Sequence, residues 1–355
     1  MISKRYILIS PYQKPKISSI YIFYLIRNFN KFYNNVILQI AMKKPYISVI
    51  ITAYNRKEFL LEALQSAVNQ TLPRDSYEII CIKNFNDQKI DKYIKDNEII
   101  SIVEEGTIGE YLYLAAKKAK GEILVFLDDD DLISKDKLER VNFAFSRYNT
   151  IDFYHNSQLK GENPQKDFSR LYEKKFKIVR YPYKHSFKYL KIATFNLSSI
   201  AIKKCILFSH LNELKSVIAS QDSFMLIISL ISKTDIFIDD GKYTFYRLHS
   251  NNISYSKSLE KNLRFNKELE LPALIYQLNL AKAYNSKAAK LSLKYLVFMT
   301  MSAISIEENN KKEAIKTFRY LPLYLDKRLI KRAILLIIFL LGSKYPYKIL
   351  TKQFQ

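Results

Sequence analysis

Of the 355 residues only two are cysteine, six are glycine and four are histidine. Cys81 and Cys205 lie far apart, each within an apolar run, and are expected to be buried thiols. That pattern excludes a disulfide scaffold or a cysteine zinc site and fits a reducing compartment. So few glycines leave no flexible linker, and no internal repeat is present. Long uncharged runs are scarce too. Over residues 1–41, Ser18, Arg27, Asn28, Asn30 and Lys31 interrupt the apolar residues. No stretch there reaches the ~18 residues of a membrane span, and no small-residue cleavage site follows an apolar core. Helix-turn-helix patterns and aromatic RNA-binding strand motifs are absent, and the cations are spread along the chain, so nucleic acid is not an expected partner.

What is abundant is positive charge. Lysine and arginine number 57 against 34 acidic residues, a formal charge of +23. The excess favours polyanionic partners, either an anionic membrane surface or phosphate-bearing ligands, unless it reflects the general enrichment in lysine, isoleucine, asparagine and tyrosine. The apolar fraction of 48% is that of a folded globular chain. Residues 1–44 stand apart as an N-terminal extension. Met42 opens Met42-Lys43-Lys44-Pro45-Tyr46-Ile47-Ser48-Val49 like a natural start, the alternative being that the first 41 residues form an amphipathic segment on a membrane.

From Tyr46 onward the pattern is that of an α/β domain with a largely parallel sheet. Residues 47–52 read as a strand buried on both faces. Residues 57–69 place Phe59, Leu60, Leu64 and Val68 at helical spacing. Strands follow at 77–82 and 99–103, with helices at 88–97 and 108–120, the last closed by Gly121. Glu122-Ile123-Leu124-Val125-Phe126-Leu127 is the most apolar strand. It runs directly into Asp128-Asp129-Asp130-Asp131. After about residue 256 the strand signals stop and several helices are expected. Near the end, Lys327, Arg328, Lys331 and Arg332 precede the apolar run 333–341, which is too short to span a bilayer. It is either a buried helix or a segment lying in an anionic membrane interface.

An acidic cluster at the carboxyl end of a buried strand sits where open α/β sheets bind ligands. Four adjacent carboxylates repel one another and are costly without a cation. Hard oxygen ligands suit Mg²⁺ or Mn²⁺ bridging to substrate phosphates. Read alone, the alternative is that the cluster is a solvated acidic turn or a helix N-cap.

In its setting the cluster resembles the family 2 glycosyltransferases, which have the GT-A (Rossmann-like) fold. The residues carrying the resemblance are the runs 48–56, 65–71, 77–80 and 121–131, then Gln221-Asp222 and Tyr246-Arg247-Leu248-His249. Their order matches over roughly residues 46–255. The resemblance implies a nucleotide-sugar-binding domain over 45–255, with a helical C-terminal region over 256–355. It implies an Asp-x-Asp motif at Asp128 and Asp130, with Asp130 as the direct metal ligand. Asp129 and Asp131 would be supporting acids, with Asp129 on the substrate side. The loop Thr52, Ala53, Tyr54, Asn55 and Arg56 would touch the nucleotide. Asp222 would be the base that takes the acceptor proton, although Gln221 replaces the usual first acid of that pair. His249 would ligate the metal or contact the diphosphate, or be a loop histidine. Arg247 would neutralise phosphate or form a structural ion pair.

Two departures concern the donor. The aspartate pair common after the second strand is replaced by Lys83 and Asn84, and lysine cannot accept a hydrogen bond from a uracil ring. Asn84 is the candidate substitute for base recognition. Leu112-Tyr113 replaces an arginine–asparagine pair. The resulting expectation is a metal-dependent inverting transferase. It would move a sugar from a nucleoside-diphosphate sugar to a hydroxyl of a lipid-linked or cell-surface glycan, at the cytoplasmic face of the membrane. The alternative is a non-catalytic nucleotide-sugar-binding or scaffold protein of the same fold.

Overall fold

A computed structural model describes residues 47–164, 175–184, 186–249, 258–322 and 326–352. The expected extension over residues 1–44 lies outside them, as do Ser250, Asn251 and Asn252 beyond His249. Strands β1 (Ile47–Ala53), β2 (Tyr77–Lys83), β3 (Ile100–Val103) and β4 (Ile123–Asp128) pair in parallel in the order β3-β2-β1-β4. Their apolar runs divide by alternation, as the two-residue period of a strand requires. Ile47, Val49 and Ile51 enter one core with Leu60, Leu64 and Ala67 of helix α1 (Leu60–Val68). Ile50 enters the opposite core with Leu124 and Phe126. Helices α2 (Gln88–Asp96) and α3 (Ile108–Lys118) complete the crossovers. Asp87 caps α2, and Thr107 with Glu110 forms a capping box on α3.

Beyond β4 the sheet becomes mixed. After the short β5 (Leu132–Ile133) and helix α4 (Lys137–Arg147) come β6 (Ile151–Gly161), β7 (Phe176–Val179), β8 (Ile200–Lys203), helix α5 (Gln221–Ile231) and β9 (Asp235–Arg247). The order continues β4-β8-β6-β9-β5, with β7 on β9. β8 is antiparallel to both β4 and β6, whereas β6 and β9 run parallel. The α/β fold is therefore as expected, but the sheet is largely parallel only in its first half.

The C-terminal region is helical, comprising α6 (Leu259–Phe265), α7 (Leu271–Ala283), α8 (Lys287–Glu307), α9 (Lys311–Thr317), α10 (Lys327–Leu340) and α11 (Tyr345–Lys352). Its helices share a core with the sheet: Leu274, Leu278, Leu293 and Val297 cluster with Phe224, Ile227 and Phe126. By length and apolarity α8 alone among the described helices has the makings of a membrane span, but 56% of its apolar window is buried inside the protein, and that burial accounts for its composition. A second C-terminal core joins Phe298, Ile306, Leu329, Leu336 and Phe339.

Two local expectations are corrected. Gly121 does not stop α3, which ends at Lys118. A Cβ there would lie 2.6 Å from the backbone nitrogen of Ser48, and Gly121 N donates to Ser48 Oγ at 2.9 Å, so close approach to β1 is what requires glycine. Cys81 is buried in β2, but Cys205 is exposed, because its one-turn helix Lys204–Phe208 turns Leu207 inward instead.

Candidate functional site

The register of β1 on β4 places Thr52 opposite Asp128, and that of β1 on β2 places Ala53 opposite Lys83. Three loops therefore leave the sheet side by side: 54–56, 84–87 and 129–131. They lie at the carboxyl ends of parallel strands where the chain direction of successive crossovers reverses, which is the ordinary ligand position in such sheets.

Arg56 governs the charge. Its Nε donates to Asp129 Oδ2 at 3.1 Å, its Nη2 donates to Asp129 Oδ1, and its Nη1 donates to Asp130 Oδ2 at 2.6 Å. This is a two-pronged grip on one carboxylate with a third bond to the next. Even so, burial pushes the Asp129 carboxyl up to about 7 against the pull of Arg56. Asp131 is also raised to about 7, by burial and then by Asp130. Asp128 rises well above the ordinary carboxylate range through burial and the like charges of Asp131, Asp130 and Asp129.

The remaining partners fix the loop. His249 Nε2 lies 3.0 Å from Asp130 Oδ2, with its ring against Phe59. Arg247 N donates to Asp131 Oδ1 at 3.1 Å and its Nε to the Asp130 carbonyl at 3.0 Å. Its Nη2 pairs with Glu62 at 2.7 Å over the Phe59 ring. The buried Arg247 side chain thus lies where the ion-pair alternative puts it, bracing the aspartate loop against α1.

Asp222 opens α5. Its Oδ1 accepts from Ser223 N at 2.8 Å and its Oδ2 from Asn196 N at 3.0 Å. Burial, and then the charge of Glu270, raises it to about 7. Asn196 also donates from Nδ2 to Asp131 Oδ2 at 2.8 Å, so one residue joins the two acidic centres. It does so at φ 69, a left-handed conformation that asparagine tolerates better than most residues. Sequence reading missed Asn196, and its only signal is an asparagine opening the polar turn Asn196-Leu197-Ser198-Ser199. It missed Lys137 as well. Fully buried, Lys137 donates to the Ser198 carbonyl and to Thr244 Oγ1, while burial lowers it to about 7.

On the donor side, Asn84 and Asn55 exchange bonds. Asn55 N donates to Asn84 Oδ1 and Asn84 Nδ2 donates to Asn55 Oδ1, each at 2.8 Å. Lys83 is buried, bonding the Phe85 carbonyl at 2.6 Å and Asp91 at 2.9 Å. It secures its own loop instead of facing a ligand. Leu112 is core. Tyr54 is 52% exposed, its ring 6.3 Å from that of Tyr111.

Among the described residues, no three histidine, cysteine, aspartate or glutamate side chains converge as a ready metal site. Of the expected ligands, His249 lies at hydrogen-bond distance from Asp130, 3.0 Å from its Oδ2. The donor chemistry still suits a hard divalent cation. Asp128 faces three like charges, and a cation held by one or two carboxylates can complete its sphere with substrate phosphate.

Residues 48–210 match the sequence pattern described as Glycosyl transferase family 2. The match spans somewhat less than half of the chain. Poly(ribitol-phosphate) beta-glucosyltransferase of Bacillus spizizenii is 38% identical over 125 residues, covering 33% of this chain and 19% of that protein. Poly(ribitol-phosphate) beta-N-acetylglucosaminyltransferase TarS of Staphylococcus aureus is 32% identical over 99 residues, covering 26% and 17%. The chain thus aligns with only about a fifth of the length of these curated relatives. The solved structure of Staphylococcus aureus TarS 1–349 with UDP-GlcNAc superposes with a TM-score of 0.53 at 16% identity, covering 87% of this chain and 91% of that one. That likeness gives the chain the GT-A fold expected from its sequence.

The charge balance is testable without substrate. Carboxyls whose folded pKa is raised bind protons more tightly in the folded state, so stability falls as pH rises from about 4 towards about 7. Arg56 is 24% exposed at its side chain. Arg56→Met is therefore expected to cost roughly 2–3 kcal/mol near neutral pH, below the ~3–5 kcal/mol of breaking a fully buried pair. The loss should shrink at pH 5. Thermal melts across that range check it, and a pH-independent loss would contradict the account.

Proposed function

We propose that this chain is a metal-dependent inverting glycosyltransferase. It moves a sugar from a nucleoside-diphosphate sugar to a hydroxyl of a lipid-linked or cell-surface glycan or polymer. The observation that carries the reading is the Asn196 bridge, which holds the Asp222 carboxylate beside the aspartate loop that ends β4. A diphosphate and an attacking hydroxyl need those two groups on adjoining sides of one sugar. The named relatives that act on poly(ribitol-phosphate) support a cell-surface polymer as acceptor.

In this reading Asp128 and Asp130 would hold Mg²⁺ or Mn²⁺, which would supply positive charge against the departing diphosphate. Arg56 holds the Asp129 and Asp130 side chains in place. The loop Thr52–Arg56 lines the nucleotide, with the exposed Tyr54 ring offered to the base. Asn84 fixes that loop through Asn55. Asp222 accepts the hydroxyl proton while the acceptor oxygen bonds to the anomeric carbon and the bond to the diphosphate breaks. One displacement inverts the carbon.

Asp222 must be ionised to act, so the transfer rate is expected to rise with pH through about 7 and level off above it. Asp222→Asn should lower kcat by ~10²–10⁴-fold with donor binding retained. A broad panel of nucleotide sugars, assayed with and without Mn²⁺, checks both points. Absence of turnover on every donor would favour the second reading, a nucleotide-sugar-binding or scaffold protein, which the burial of Lys83 and Leu112 leaves open.

We place the protein at the cytoplasmic membrane face as part of the same proposal. Along α10, Ile330, Ile334 and Ile337, with Leu341 just beyond it, are 42–82% exposed, and they recur at the spacing of one helix face. Exposed Lys327, Arg328 and Lys331 flank its start. Such a face suits an anionic bilayer interface. Co-sedimentation with phosphatidylglycerol vesicles, but not with phosphatidylcholine vesicles, is expected, and Ile334→Glu with Ile337→Glu should abolish it. Equal binding to both vesicles, or none, removes the proposal.

A further inference from the structure

The approach of the C-terminal helices to Asp222 goes beyond the reading above while resting on it. Helix α6 passes into α7 through a π-turn at Asn266–Glu270. Pro272 explains the widening. It has no N–H for the carbonyl of Glu268, and its ring crowds that carbonyl, so the regular ladder is interrupted there. The turn ends on Glu270, whose Oε2 accepts a hydrogen bond from Ser220 Oγ at 2.5 Å. Burial raises the Glu270 carboxyl above its ordinary range.

Two turns further along, Gln277 reaches the same point. Its Nε2 donates to the Ser220 carbonyl at 3.0 Å and its Oε1 accepts from Ser223 Oγ at 2.8 Å. Gln277 is fully buried beside Leu274, Leu278 and Ala281. An aliphatic side chain would suit that apolar neighbourhood at lower desolvation cost.

Ser220 is the residue these bonds hold. It takes a left-handed conformation, φ 55 and ψ 39, which costs a non-glycine residue about 1–2 kcal/mol. It stands at the N-cap of α5, yet its hydroxyl makes no capping bond to that helix and goes to Glu270 instead. Simple capping therefore does not explain it. The strained residue lies two positions before Asp222.

We propose that Glu270 and Gln277 are positioning residues that fix the Asp222 carboxylate for the acceptor hydroxyl, so that the C-terminal helices complete the transferase site. Asn196 holds Asp222 from the sheet side, and the α7 pair holds its turn from the helical side. Misplacing a reacting group by about 1 Å costs up to ~10²-fold in rate.

The test compares Glu270→Ala, Glu270→Gln, Gln277→Leu and Ser220→Ala in the full chain, with Mn²⁺ and whichever nucleotide sugar the wild type turns over. Glu270→Ala and Gln277→Leu are expected to lower kcat ~10–100-fold with donor Kd changed less than about twofold. Glu270→Gln should restore most of the rate, because its amide oxygen still accepts the Ser220 bond. Ser220→Ala combined with Glu270→Ala should cost no more than the worse single change, since both remove one interaction. Hydrogen exchange at residues 221–226 should quicken in Glu270→Ala and not in Glu270→Gln. Equal loss in the Gln and Ala variants, or a donor Kd rising in step with the loss of kcat, overturns the assignment. A wild type without turnover defeats the transferase reading alone, and the clamp is then judged by exchange, where unchanged protection in Glu270→Ala refutes it.

Discussion

The compensation of four consecutive aspartates is the constraint on which the rest of the site depends. The apolar β4 delivers Asp128–Asp131 into a place with little water, where ionised carboxylates are destabilised by burial and by one another. Every nearby element supplies a counterweight. The loop after β1 gives Arg56, α1 gives Glu62 and Phe59 as a bed for Arg247, and the end of β9 gives Arg247 and His249. The parallel half of the sheet puts the acids at its edge of action, and the mixed half brings the groups that hold them.

Compensation is incomplete, and that is informative. Asp128 remains surrounded by like charge and Asp129 stays near 7 although Arg56 grips it. A structural ion-pair network would gain by matching its charges, and this loop does not match them. Arg56 is the standing partner of both Asp129 and Asp130.

Much of the parallel half was legible in the sequence, because buried parallel strands are short apolar runs and crossover helices carry their own caps. The runs at 47–52, 77–82 and 122–127 became β1, β2 and β4, and Asp128 to Asp131 stand at the sheet's carboxyl edge. Strands β6, β8 and β9 were not anticipated. Their mixed polar pattern, with His155, Asn156 and Thr244 buried, becomes sensible only through pairing with distant segments. Asn196 was invisible for the same reason: its role depends on a positive φ and on partners at 131 and 222. At Lys83 the sequence shows a donor where the family carries an acid, and only the structure supplies its partners, Phe85 and Asp91. Gly121 and Cys205 were misread because local spacing cannot report a close backbone approach or the facing of a one-turn helix.

The central claim is that the aspartate loop holds a nucleoside diphosphate through a divalent cation, and calorimetric titration of UDP into the protein tests it most directly. The account predicts binding at least tenfold tighter with Mn²⁺ than with EDTA, a gain of about 1.4 kcal/mol or more, and loss of that gain in Asp130→Ala. UDP affinity that is the same with and without Mn²⁺ would contradict it.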